Sequence, residues 1–202
     1  MNSVSSVLKR KKKKMQPLGY NKQELTGIYN YSKDKSAKDK VIYKAFMDVR
    51  LISYLILHDK FGFGQKRIVR LEDIVDIYRT KSEMEVKYSD TNVASELKEA
   101  SSIDIREEAD KVPFRECLSL SERKEPVAGQ LVSRVLFKYF SLSCKALKKY
   151  FRFSVNKLKE YMHWVRYYIN TLSRRQQFEV TIKDIAEVLM EECKYCDARF
   201  VK

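Results

Sequence analysis

Glycine and proline are scarce in this sequence, five and three among 202 residues. A turn-rich all-β fold needs more of both, because tight turns rely on the φ values these residues supply. Long stretches without either leave helix as the default. Histidine is scarcer still, with only His58 and His163. No apolar run approaches the roughly 20 residues of a membrane span. The longest, Leu51 to Leu57, is interrupted by Ser53 and Tyr54. Met1 to Leu8 is polar and carries no apolar signal-peptide core. The expectation is a cytoplasmic protein with no membrane partner, whose four cysteines are reduced thiols.

Recognisable catalytic chemistry is also missing. There is no HExxH, no Ser/His/Asp set and no paired-carboxylate motif. His58 and Asp59 are neighbours on a helix, so their side chains do not face each other. A role for His58 at a helix C-terminus is therefore favoured over one as a base. Gly62 and Gly64 lack the third glycine and the Gly-Lys-Ser/Thr ending of a phosphate cradle. Cys193 and Cys196 have CxxC spacing but no second pair. A zinc site would need Cys117, Cys144 or His163 to complete it, and ordinary thiols are the reading. The chain is expected to be a non-enzyme without cofactor or metal.

Positive charge is abundant. The formal net charge is +14, which favours a polyanionic partner, nucleic acid first. The charge is concentrated in two places. Lys9, Arg10, Lys11, Lys12, Lys13 and Lys14 form an unbroken run in an arm, residues 1–22, that has no acid. Such a block self-repels and is expected to be disordered alone, yet each of its cations can release counterions from a phosphate backbone. Residues 131–178 carry +10, opposed only by Glu160. Residues 83–126, with twelve acids against seven bases, are the acidic part, and residues 106–128 read as an acidic connector.

Between the arm and the connector lies a first helical unit, residues 23–105. Residues 32–39 read as a loop, with Asp39 as a cap for the next helix. From Val41, apolar residues recur at helical spacing: Ile42, Ala45, Phe46, Val49, Ile52 and Ile56. The stripe ends at Phe61-Gly62-Phe63-Gly64, where glycine releases the backbone. A second helix carries Ile68, Leu71, Ile74, Val75 and Tyr78, and residues 82–90 read as a loop. A shorter third helix, begun by Asp90 or Thr91, carries Val93, Ala94 and Leu97. The corner between the first two helices is of the helical-hairpin kind that can enter a DNA groove.

The motif Leu57-His58-Asp59-Lys60-Phe61-Gly62-Phe63-Gly64-Gln65-Lys66-Arg67, followed by a helix, a loop and a short Leu/Glu-rich helix, resembles short helical proteins of Firmicutes phages and integrated elements. The resemblance covers about residues 41–105 and implies a mobile-element context, without implying any catalysis.

A divergent copy occupies residues 129–202. A shift of 90 residues lays Phe61 and Phe63 on Phe151 and Phe153, Val75 on Val165 and Tyr78 on Tyr168. A further two-residue slip lays Leu97 on Leu189. The first helix returns as Val132, Val135, Leu136, Tyr139, Leu142, Ala146 and Tyr150. Recurrence at a long fixed period is the signature of duplication. The fold class is thus all-α, two tandem three-helix units behind a basic arm. Gly62 becomes Arg152, Gly64 becomes Ser154, and His58-Asp59 becomes Lys148-Lys149.

In the second copy Lys138, Lys145, Lys148, Lys149 and Arg152 fall on a face opposite the apolar stripe. Tyr161, Trp164, Val165 and Tyr168 match the buried face of the first copy, whereas Tyr167 falls off it. Phosphate contact is expected from the arm and from Lys138, Lys145, Lys148, Lys149, Arg152, Lys157, Arg166, Arg174 and Arg175, with Tyr167 as a surface contact. The functional expectation is a nucleic-acid-binding protein, for DNA or RNA. The alternatives are a module that engages a host nucleic-acid-handling complex, such as an anti-defence protein, and a small ribonucleoprotein subunit.

Overall fold

The computed structural model describes residues 22–111, 126–173 and 180–197. Among these residues seven α-helices run α1 (Lys22–Phe61), α2 (Gln65–Met84), α3 (Asp90–Ser101), α4 (Ile105–Asp110), α5 (Pro126–Tyr150), α6 (Val155–Ser173) and α7 (Ile182–Cys193), with a 3-10 turn at Val86–Tyr88. No strand occurs among the described residues, and the fold class is all-α.

The chain divides into two compact units, Met1–Lys40 and Val41–Lys202. The described part of the first, residues 22–40, is helical throughout. This corrects the loop expected at residues 32–39 and the cap expected at Asp39. That stretch holds no proline or glycine, and its lysines and alanine are good helix formers. Likewise α2 continues to Met84, past the start of the loop expected from Ser82. Residues 112–125, including a short helix expected around Phe114 to Leu120, lie outside the described residues.

Within the second unit, α1 and α5 supply the centre. Every residue from Ala45 to Leu57 is buried, and so is nearly all of Tyr139–Leu147. A helix buried on all sides needs little amphipathic contrast, which is why a single stripe understates it. The ends of the two stripes fall elsewhere than expected: Ile42 and Tyr150 are exposed, and Val41 is buried in place of Ile42. The polar side chains of Asp48, Arg50, Ser53, Ser141 and Ser143 are carried into this core. Burying them requires partners. Arg50 meets Glu72 at 2.7 Å, and burial pushes the Glu72 carboxyl upward against the pull of that guanidinium. Ser53 shares a hydrogen bond of 2.6 Å with Tyr161. Ser141 returns its hydroxyl to the Phe137 carbonyl at 2.8 Å.

The two corners are built alike. Gly62 has φ 64° and Arg152 has φ 56°. The Phe63 N–H donates to the Leu57 carbonyl at 3.0 Å, and the Phe153 N–H donates to the Leu147 carbonyl at 3.1 Å. This six-residue closure satisfies carbonyls that a helix end otherwise leaves open. The third helices match too. Ser89 and Thr181 cap α3 and α7, and both helices end at a left-handed residue, Ser102 and Lys194.

The corners also pack on each other. Phe61 lies 5.1 Å from Phe153, and Phe63 lies 5.1 Å from Phe151, centroid to centroid. Exchanging 61 with 151 and 63 with 153 turns one pair into the other, so the contact has local two-fold symmetry. Phe63 and Phe153 meet edge to face across that axis at 6.0 Å. The copies are interlocked. Helices α2, α3 and α4 pack along α5, while α6 packs on α1 through Tyr161 with Ser53 and Tyr168 with Asp59.

The left-handed position gives a stability prediction. A Cβ at Gly62 would meet nothing within 4 Å, so Gly62→Ala bears only the backbone strain, about 1 kcal/mol. Arg152→Gly removes the same strain and, after an unfolded-state entropy offset of about 0.4–1 kcal/mol, should stabilise by roughly 0–0.6 kcal/mol. Urea denaturation measures both. An Arg152→Gly variant that loses stability would contradict the shared corner.

Candidate nucleic-acid interface

The structure divides the sequence-predicted cations into two groups. The first holds the copies together. Lys138 meets Glu83 at 3.5 Å and Lys145 meets Glu96 at 2.8 Å. The Lys145 ammonium also lies 5.4 Å from the Tyr88 ring and 5.9 Å from the Tyr78 ring. Lys148 donates to the Ala100 carbonyl near the end of α3 at 3.3 Å. Arg166 meets Glu108 of α4 at 3.3 Å. The face of α5 opposite its first apolar stripe is thus partly covered by α3 and the 3-10 turn. The charge asymmetry between the copies is partly internal complementarity, with basic α5 and α6 against the acids of α2, α3 and α4.

Lys149, Arg152 and Lys157 make up the second group. They are exposed, and none forms an ion pair among the described residues. Tyr167 is 55% exposed. Lys9, Arg10, Lys11, Lys12, Lys13, Lys14, Arg174 and Arg175 lie outside the described residues.

Corner pairing brings further cations to the second group. The Arg67 guanidinium lies 3.8 Å from the Phe63 ring and 5.9 Å from Phe151, and that of Arg70 lies 5.8 Å from Phe151. Lys66 is exposed beside them. Lys60 places its ammonium 4.2 Å from the centre of the Trp164 ring. Lys60, Lys66 and Arg67 stand in the corner motif and Arg70 follows it, but none is among the phosphate contacts expected from sequence, because the first copy taken alone has no marked basic bias. The repeat offset lays Phe63 on Phe153 and does not announce the contact with Phe151, which only the structure shows and which brings the cations beside Phe63 to those beside Phe151. Asp59 and Glu160 are acids on the same turns, and Asp59 accepts a hydrogen bond from the Tyr168 hydroxyl at 2.7 Å. Seven cations, Lys60, Lys66, Arg67, Arg70, Lys149, Arg152 and Lys157, therefore cluster around the paired corners. A cluster of this sign suits an anionic polymer, whose phosphates each release counterions when neutralised.

His58 sits at the edge of this region, in the last turn of α1. Its Nδ1 is 3.0 Å from the Phe63 carbonyl and its Nε2 is 3.1 Å from Glu192 of α7. His58, Asp59 and Glu192 have the donor types of a metal site and lie within 4.8 Å of one another. Both imidazole nitrogens already have protein partners, so the arrangement is a latch between α1 and α7. The duplicate keeps the latch by other means, since Lys148 to Ala100 is its counterpart. Cys193 is buried and its thiol donates to the Leu189 carbonyl at 3.0 Å, whereas Cys196 is exposed past the left-handed Lys194. Burial pushes the Cys144 thiol up to about 12.

No protein-family model matches the chain, and no curated protein or solved structure matches it.

The latch makes stability depend on pH. The bond to the Phe63 carbonyl, followed by that to Glu192, raises the His58 pKa above the ordinary histidine value. Only the imidazolium donates to both acceptors at once. The latch's contribution is complete below about pH 6.5 and is lost as pH rises through the higher folded-state value. Thermal unfolding of wild type and His58→Gln between about pH 5.5 and 8.5, a range that brackets the histidine titration, should show a gap that narrows as pH rises. A gap that widens would contradict the latch.

Proposed function

We propose that the protein binds nucleic acid without catalysis, contacting phosphates through the cations gathered at the paired corners. The observation that carries this reading is the cluster of Lys66, Arg67, Arg70, Lys149, Arg152 and Lys157, none of which is in an ion pair among the described residues. Cations without acidic partners, gathered at the paired corners in a protein of net charge +14, raise the local potential and speed the encounter with a polyanion. The basic run at residues 9–14 would add sequence-independent contacts. The resemblance of the corner motif supports a setting in a phage or mobile element.

The corner arrangement bears on how duplex DNA would be met. Dimeric helix–turn–helix proteins read half-sites about 34 Å apart. Here the starts of α2 and α6 flank phenylalanines in direct contact, so the two copies offer one shared site in place of two separated half-sites.

A second reading is an interaction module for a host nucleic-acid-handling complex. It is favoured by Ile77, Met84 and Val86, which are 54%, 81% and 82% exposed near the end of α2 and the following turn. Recovery of tagged protein from its host, with and without nuclease, separates the two. Partners that vanish with nuclease support direct nucleic-acid binding, and one stoichiometric protein complex that survives supports the module.

The direct test reverses charge where it is not structurally engaged, in Lys149→Glu, Arg152→Glu and Lys157→Glu combined. The slope of log affinity against log salt should flatten by about 0.7–0.9 for each phosphate no longer neutralised. Lys145→Glu should instead destabilise the fold, because it sets a carboxylate against Glu96. Unchanged affinity and slope in the triple variant would overturn the proposal.

A further inference from the structure

Duplication provides an internal control for reading surfaces. Core positions keep their character between the copies: Phe63 and Phe153, Ile68 and Leu158, and Val75 and Val165 are all buried. One exposed row changes character. On α2 it reads Val69, Asp73, Ile77, and on α6 the same positions read Lys159, His163, Tyr167. These α6 residues are exposed, so core packing did not impose the change. It exchanges an apolar and acidic row for a cationic and aromatic one.

The row borders an aromatic cluster. Trp164 stands between His163, at 5.5 Å, and Tyr167, at 5.6 Å, with the ring planes steeply inclined. Tyr168 closes the group at 6.5 Å from Trp164 and 6.1 Å from Tyr167. Lys60 caps the tryptophan, so the open stacking surface belongs to Tyr167. The cluster adjoins the cationic end, because Lys60 precedes Phe61, which packs on Phe153 next to Arg152.

Resting on the nucleic-acid reading, we infer that the exposed face of α6 formed by Lys159, His163 and Tyr167, backed by the half-buried Trp164 under Lys60, is a base-stacking platform for single-stranded nucleic acid. An exposed aromatic ring is useful to a strand only if bases are free of pairing partners, since every base presents a π-face once unpaired. Duplex DNA offers this row its phosphates alone. Arg152 and Lys157, toward the start of α6, take the backbone of the same strand, and Tyr167 takes a base.

The test compares three probes of equal length with the full chain: oligo(dT), an abasic deoxyribose-phosphate strand and a duplex. Wild type should bind oligo(dT) roughly tenfold or more tightly than the abasic strand, the scale expected for aromatic stacking. Oligo(dT) should quench the emission of Trp164, the sole tryptophan. Tyr167→Ala should erase the preference over the abasic strand, and Tyr167→Phe should keep it. Circular dichroism of both variants verifies the fold, which the exposure of Tyr167 leaves undisturbed. Equal binding of oligo(dT) and the abasic strand would overturn the platform while leaving the nucleic-acid reading intact. So would preference for duplex, or a preference that survives Tyr167→Ala. Failure to bind any of the three probes would overturn both.

Discussion

The contact on which the structure depends is the meeting of four phenylalanines at two helix corners. Phe61, Phe63, Phe151 and Phe153 form two equivalent pairs and one pair across the axis. Each ring can reach its partner only because the helix before it ends sharply, and the end is sharp because Gly62 and Arg152 adopt positive φ. A helix continued by one more turn would carry Phe63 away from Phe151 and separate the copies. Burial of such rings is a large apolar contribution, and their offset and edge-to-face geometry adds to it. The same contact fixes where charge accumulates, because the residues that follow each corner are cationic.

The copies have divided the labour around this contact. The first retains acids on α2, α3 and α4, and the second presents lysines and an arginine to them from α5 and α6. Lys138, Lys145, Lys148 and Arg166 are therefore engaged in holding the molecule together. Pairs of this kind at a half-exposed surface contribute modestly to stability. Their larger consequence is selective, since they occupy some cations and leave others, at the corners, without acidic partners. Net charge alone does not distinguish the two groups, and three-dimensional pairing does.

The helices, the corner and the repeat are legible in the sequence because each has a local signature: a 3.6-residue period, glycine between two phenylalanines, and the recurrence of both at a fixed offset. The matching starts at Gln65 and Val155, and the equal lengths of α3 and α7, follow the offset and the slip read from sequence. The interlocking is not legible. Nothing local says that Tyr161 packs on Ser53 or that Lys145 packs on Glu96. Ile42 and Tyr150 lie outside the core that their stripes suggest: at the start of the stripe the buried position is the neighbouring Val41, and at its other end Tyr150 falls in the last turn of α5, where the core has ended. Residues 32–39 are helix and not loop because polar composition does not itself break a helix, and lysine, alanine and the absence of glycine and proline all permit one. At the candidate site, Tyr167 stands out by its departure from the core period. Arg67 and Arg70 do not, because their importance comes from the opposite copy's Phe151.

Amide chemical-shift mapping during titration with a single-stranded oligonucleotide tests most directly whether the paired corners and the adjoining face of α6 form the end that meets nucleic acid. Shifts should concentrate at residues 60–70, 149–157 and 159–167, near the phenylalanine contact. Shifts confined to residues 77–88, with the corners silent, would contradict it.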